Sequence, residues 1–168
     1  MLKRILKWIG ISLIAVVAMS IIAIGALYVR GQSRLNEKYN VPSDPVSIPK
    51  DAESLKRGEH LVVVLCTGCH GENLAGTDFF NDASLGSIHS ANLTAGIGGI
   101  GANYTDADFV RTLRHGVRPD GTSVFVMPSP DYAYLSDQDL GSIIAYLRTV
   151  PPVNQTWEPK RFTLLATH

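Results

Sequence analysis

The sequence predicts a helical chain in two parts, an apolar membrane-spanning helix followed by a small domain built around one short motif. Three observations carry this. Trp8 to Val29 is a run of 22 residues without a formal charge. Three later stretches, opening at Asp51, Thr105 and Ser136, each place a helix-capping residue before apolar side chains at helical spacing. Between the first and second of these lies Cys66-Thr67-Gly68-Cys69-His70, which holds both cysteines of the chain.

At about 1.5 Å per residue the uncharged run is roughly 33 Å long as a helix, enough to cross the hydrocarbon core of a bilayer. The core of a signal peptide is shorter, about 7–15 residues, so a retained anchor is expected, although the small residues Ala23-Ile24-Gly25-Ala26 leave cleavage open. Trp8 and Tyr28 stand at its two ends as interfacial aromatics. Lys3, Arg4 and Lys7 precede it and Arg30, Arg34 and Lys38 follow it, so flanking charge leaves the orientation undecided.

Gly31 to Lys50 is polar and holds Pro42, Pro45 and Pro49. Prolines at this density disfavour helix, and the stretch reads as an extended tether from which a domain could swing. Charge divides at the same boundary: residues 1–50 sum to +5 and residues 51–168 to −5. An acidic domain argues against nucleic acid as a partner.

Asp51 caps a helix through about Leu65, with Leu55, Leu61, Val62 and Leu65 apolar. Gly58 inside it costs roughly 1 kcal/mol against Ala, so close approach of another helix is expected there. The helix delivers the chain into Cys66. The C-x-x-C-H spacing is that of a c-type haem attachment site: two thiols bond to the haem edge and the next histidine reaches the iron. Cys66 and Cys69 are therefore the expected covalent attachment points, and His70 the proximal ligand. A thioredoxin-like dithiol wants a βαβ context that is missing here. Half a zinc site lacks a second cysteine pair, and His60, His89, His115 and His168 are scattered. A disulfide across so short a loop would stabilise little. With both cysteines in the motif no disulfide framework remains, and a covalently held haem would replace the core that a small chain lacks.

Gly71 to Gly101 reads as loop. Gly96-Ile97-Gly98-Gly99-Ile100-Gly101 matches G-x-G-x-x-G but lacks the strand before and the helix directly after that nucleotide binding requires. Thr105-Asp106-Ala107-Asp108 opens the next helix, with Phe109, Val110 and Leu113 apolar and Gly116 as its stop. Arg111, Arg114 and Arg118 form either an ordinary solvated face or a site for a haem propionate or an acidic partner. In Ser123-Val124-Phe125-Val126-Met127-Pro128-Ser129-Pro130, two prolines stiffen a loop around Met127. Met1 is the start and Met19 lies in the span, so a thioether second ligand must come from Met127, 57 positions after His70. Ser136-Asp137-Gln138-Asp139 starts the last helix, with Leu140, Ile143, Ile144 and Leu147 facing a core, and Pro151-Pro152 ends it. Gly141 leaves room for close contact, and Tyr146 is placed to meet the first helix near Gly58. The remaining tail to His168 carries no strong signal. The expected divisions are 1–30 (cytoplasmic tip and anchor), 31–50 (linker), 51–153 (haem domain) and 154–168 (tail).

Taken together, Cys66–His70 with Gly71, Ala91-Asn92-Leu93-Thr94, the Gly-Ile-Gly run to Tyr104-Thr105-Asp106, Arg114-His115-Gly116-Val117, Met127-Pro128, and Leu135-Ser136-Asp137 through Ala145-Tyr146-Leu147-Arg148 to Pro151-Pro152 resemble a class I cytochrome c over residues 51–153. More narrowly, they resemble the haem modules of cytochrome subunits of membrane-bound bacterial dehydrogenases. The resemblance implies an all-α fold around one covalently attached haem c, its iron held by His70 and Met127. It also implies a single-pass protein of the bacterial inner membrane, N-terminus inside and haem domain on the periplasmic side. Those subunits carry several modules in a row, whereas this sequence has a single C-x-x-C-H, which points to a one-haem tethered carrier or small complex subunit. The implied function is one-electron transfer without substrate turnover, with a dehydrogenase, a quinol-oxidising complex or a terminal oxidase as partner. His/Met ligation favours reduced iron and closes the site. Two competing readings stand beside it. One is a gas sensor or small haem enzyme with a labile distal ligand, in which His115 or His89 acts as ligand or acid/base. The other is a passive structural subunit.

Overall fold

The computed structural model describes residues 2–124 and 126–162. Phe125 of the methionine loop, the start residue Met1 and the end of the tail from 163 to His168 lie outside the described residues. The fold is mostly helical. Its elements are α1 (Leu2–Leu35), α2 (Ala52–Leu65), α3 (Thr67–His70), β1 (Asp78–Asp82), β2 (Gly86–His89), α4 (Asp106–His115), α5 (Ser129–Tyr132), α6 (Asp137–Leu147) and β3 (Arg161–Phe162).

The apolar run lies within α1, which extends beyond it at both ends and is 34 residues long. By length and composition this is one helix able to cross a membrane. Its apolar side chains, Ile14, Ile22 and Val29 among them, are exposed rather than packed on the domain.

Three capped helices build the core. The Asp51 carboxylate accepts from the Ser54 amide at 2.8 Å and starts α2. Thr105 and Asp108 form a reciprocal capping box on α4, and Gly116 ends it in the left-handed conformation at φ 67°. Ser136 caps α6 through the Asp139 amide at 3.1 Å. Val62, Phe109, Val110, Leu140, Ile143, Ile144 and Leu147 bury their side chains between these helices. A Cβ on Gly58 would stand 2.0 Å from the Ser142 carbonyl oxygen and 3.0 Å from Tyr146 Cβ, so α2 and α6 cross where only glycine fits. Arg148 closes the far end of the core. It pairs with Asp106 at 2.7 Å, donates to the Gly101 and Tyr104 carbonyls, and lies 4.9 Å over the Phe109 ring.

Three features differ from the sequence reading. First, the chain is not all-α. Residues in the expected loop form an antiparallel hairpin, β1–β2, to which β3 adds, in the order β1-β2-β3. A bulge between Asp78 and Phe80 breaks the alternation that would have announced a strand. Asp82 builds the turn by accepting from the Ser84 and Leu85 amides at 2.8 and 2.9 Å.

Second, the proline-containing stretch is extended but does not hang free. Lys38 bridges Thr122, and the Tyr39 amide donates to the Gly121 carbonyl at 2.8 Å. Asp44 pairs with Arg114 and His115, each at 3.2 Å, while Val46 and Ile48 pack on the core. Gly141 makes its room for this strap: a Cβ there would meet the Ser47 carbonyl oxygen at 2.3 Å.

Third, the tail is built in. Asn92 donates to the Val153 carbonyl at 2.7 Å, Val153 donates back to Thr94 Oγ1 at 2.9 Å, and Trp157 Nε1 donates to the Ala75 carbonyl at 2.8 Å. This explains the glycine run. A Cβ on Gly96 would stand 2.1 Å from the Val153 carbonyl oxygen, and one on Gly98 2.5 Å from that of Gln155. Those glycines admit the tail backbone; no helix follows until Asp106.

Candidate haem site

α2 ends by handing its last turn to the motif. The Cys66 amide donates to the Val62 carbonyl at 2.8 Å, after which α3 turns the chain through Cys69 to His70. The Thr67 hydroxyl donates back to the Val63 carbonyl at 2.7 Å and ties the two helices together. Both cysteines are free thiols, Cys66 buried and Cys69 partly so. Burial, helped by the nearby Cys69, pushes the Cys66 thiol up to about 11.

A carbonyl oxygen only accepts, so the 2.8 Å contact between His70 Nδ1 and the Ala91 carbonyl places the proton on Nδ1. Nε2 is left as the metal-binding atom, in the orientation a backbone acceptor commonly imposes on a ligating histidine. Burial lowers the His70 pKa and the Ala91 hydrogen bond opposes that; the net lowering favours the neutral imidazole, the form that binds a metal.

The turn is held from the hairpin side. Thr77 and Ser90 hydroxyls both donate to the Cys69 carbonyl at 2.7 Å, and the Gly76 amide donates to the His70 carbonyl at 2.8 Å. Trp157 and His89 stack at 5.0 Å between ring centres, and His89 Nδ1 lies 3.3 Å from Asp78.

The methionine loop leads into α5. Met127 is half-buried, and its carbonyl accepts from the Ser129 amide at 2.8 Å, starting the single turn of α5. The Tyr132 hydroxyl at the end of that turn donates to the Leu65 carbonyl at 3.0 Å. Tyr132 therefore sits beside the motif; burial raises its pKa and the nearby Cys66 and Cys69 add to the shift. The structure thus brings α5 and the motif together.

Two of the other histidines are engaged elsewhere, His89 stacked on Trp157 with its Nδ1 near Asp78, and His115 with Asp44. Among the described residues no group of three or more His, Cys, Asp or Glu converges on a metal-sized site. The arginine cluster is not a solvated face. Arg114 binds Asp44, Asp137 and the Leu135 carbonyl; Arg118 binds the Ser123 carbonyl and Thr122. Arg111 pairs with Asp108 and keeps a buried Nε without a partner among the described residues.

Two thiols and, directly after them, a histidine with Nε2 available form a donor set that fits a covalently attached haem. Ala91, Thr77, Ser90 and Tyr132 were not assigned from sequence. Ala91 acts through its backbone, which has no residue signature, and the other three act through carbonyls of distant residues.

The sequence profile of the family described as cytochrome c oxidase, cbb3-type, subunit III matches residues 53–147. The fructose dehydrogenase cytochrome subunit of Gluconobacter japonicus is 37% identical over 122 residues, 67% of this chain and 25% of that protein. The cytochrome c subunit of the quinone alcohol dehydrogenase of Gluconobacter oxydans (strain 621H) is 39% identical over 114 residues, 61% of this chain and 23% of that protein. A diheme cytochrome c-type protein of Cereibacter sphaeroides is 30% identical over 134 residues, 71% of this chain and 44% of its own length. The chain spans about a quarter of the length of the first two relatives.

Proposed function

The chain belongs to the c-type cytochrome family of cbb3-type oxidase subunit III, and on that premise we propose that it is a membrane-tethered, single-haem electron carrier. In this reading Cys66 and Cys69 hold the haem, His70 is the proximal ligand and Met127 the distal one. Residues 1–30 are the cytoplasmic tip and anchor, 31–50 the linker, 51–153 the haem domain on the periplasmic side of the bacterial inner membrane, and 154–168 the tail. The partners are a dehydrogenase, a quinol-oxidising complex or a terminal oxidase.

The observation that carries the reading is the His70 Nδ1 hydrogen bond to Ala91, which leaves Nε2 available immediately after the two thiols. When bound, the haem supplies a one-electron couple with no need of a substrate pocket. The chain supplies the rest: Thr77, Ser90 and Gly76 hold the Cys69–His70 backbone, Ala91 orients the imidazole, and Tyr132 docks the methionine loop beside the motif.

The test is the full chain, expressed in a host that attaches c-type haem, with oxidised and reduced absorption spectra recorded under carbon monoxide. A low-spin spectrum with the weak long-wavelength band of methionine-ligated ferric haem, unmoved by the gas, is expected. A high-spin spectrum that responds to carbon monoxide would replace the carrier by a sensor or small haem enzyme. Absence of covalent haem would end the reading at Cys66. A haem-to-protein ratio above one would overturn the single-haem assignment.

A further inference from the structure

Trp157 reaches the histidine of the motif through a single peptide unit. Its indole Nε1 donates to the Ala75 carbonyl at 2.8 Å. The amide at the other end of that peptide, Gly76, donates to the His70 carbonyl at 2.8 Å. The C=O and N–H of a trans peptide point in opposite directions, so the Ala75–Gly76 unit bridges the indole and the histidine main chain. Hydrogen bonds in series polarise one another, and a donor on the Ala75 carbonyl therefore strengthens the bond that Gly76 makes to His70.

The same peptide is packed against the segment that holds the imidazole. A Cβ on Gly76 would stand 2.4 Å from the Ser90 carbonyl oxygen, 2.5 Å from Trp157 Nε1 and 3.1 Å from the Ala91 carbonyl carbon. Indole, peptide and the Ser90–Ala91 backbone thus meet where only glycine fits. Ala91 is the residue whose carbonyl accepts from His70 Nδ1. Trp157 is therefore in line with both holds on His70, the one on its carbonyl and the one on its ring. Stacking on His89 at 5.0 Å sets the plane of the indole.

Docking of the tail does not need the indole N–H. Asn92 donates to the Val153 and Gln155 carbonyls, the Gln155 amide donates to the Ile97 carbonyl, and the Asn154 side chain accepts from the Ile97 amide at 2.9 Å. These bonds keep the tail on the glycine run by themselves.

We propose that Trp157 is a positioning residue for the histidine ligand of the iron. It fixes the Ala75–Gly76 peptide, and through it the His70 main chain and the His70–Ala91 hydrogen bond, so that a residue of the tail sets the haem potential. This rests on the reading of Cys66–His70 as the haem site and is independent of Met127. With the indole donor gone the peptide is free to turn, the Ala91 carbonyl and the imidazole separate, and the Nδ1 bond weakens. The imidazole is then a poorer electron donor and stabilises ferric iron less.

The haem-loaded full chain, its Trp157→Phe variant and its Asn154→Ala variant are compared by spectroelectrochemical titration. Phenylalanine keeps a ring against His89 and lacks the N–H, whereas Asn154→Ala loosens the same tail at the Ile97 amide instead. Trp157→Phe is expected to raise the reduced-to-oxidised ratio at a fixed applied potential about twofold or more, the effect of one net hydrogen bond, and Asn154→Ala to leave it unchanged. If Trp157→Phe attaches too little haem to titrate, benzothienylalanine takes its place, incorporated for tryptophan in a Trp8→Phe chain where Trp157 is the remaining tryptophan. It keeps the shape of the indole without the N–H and should give the same rise. An unchanged or lower ratio, or an equal shift in the Asn154→Ala control, overturns the proposal and leaves the haem reading standing. A native chain without covalent haem overturns both.

Discussion

His70 Nδ1 and the carbonyl of Ala91 are joined by a 2.8 Å hydrogen bond that links the motif to the segment leaving β2. Its length is set indirectly. Ala91 follows Ser90, whose hydroxyl, with that of Thr77, is bonded to the Cys69 carbonyl. Replacing both donors, Thr77→Val with Ser90→Ala, removes the two hydrogen bonds to the Cys69 carbonyl and the one that the Thr77 amide donates to Ser90 Oγ, and lets the Ala91 segment move away from the imidazole. The expected loss of stability is about 1–3 kcal/mol, measured by chemical denaturation. A weaker Nδ1 bond makes the imidazole a poorer electron donor, so the midpoint potential should rise in spectroelectrochemical titration. A purely structural effect would lower stability and leave the potential unchanged.

Met127→Ala tests the other side of the haem. If the thioether binds iron, its removal should lower the midpoint potential and let carbon monoxide bind the reduced protein. Tyr132 still docks on Leu65 in this variant, so the loop keeps its anchor. An unchanged potential with no gas binding would remove Met127 from the ligand set.

The helices were legible because their signals are local. Thr105, Asp108 and Gly116 state the start and stop of α4 within twelve residues, and the structure uses each in that role. The hairpin was hidden because the bulge at Asp78–Phe80 breaks its period, and its turn depends on one aspartate side chain. The strap was misread because prolines signal extended chain but not what it lies on. Val46 and Ile48, two apart and apolar, were the available sign that one side of it is covered. At the site, the motif named its own residues, while Ala91 contributes only a carbonyl that any residue could supply. Trp157, a large aromatic in a tail that read as featureless, was a signal that went unused.

Gly58 gives a test of packing. A Cβ there meets the Ser142 carbonyl oxygen at 2.0 Å, and a backbone atom inside α6 cannot rotate away. Gly58→Ala gains about 1 kcal/mol of helix propensity. Overpacking of a tight helix crossing costs about 1–3 kcal/mol, and here the obstacle is backbone, so the upper end applies. A net loss of stability is expected in denaturant unfolding. A more stable variant would mean that α2 and α6 are not in contact at this position.

The strap should release in acid. The Arg114 hydrogen bond, with help from His115 and against desolvation, holds the Asp44 carboxyl below its ordinary value. A carboxyl whose pKa is lower folded than unfolded contributes stability that is complete above the unfolded value, about 3.9, and is lost as pH falls through the folded one. Holding of the strap should therefore be constant from neutral pH down to about 5 and then weaken below about 4. Asp44→Asn removes the charge at every pH. It should make the strap more accessible to limited proteolysis near Pro42 and Pro45 at neutral pH, and flatten the acid-side rise expected of the native chain. Equal cleavage of both proteins across the whole range would mean that Asp44 does not hold the strap.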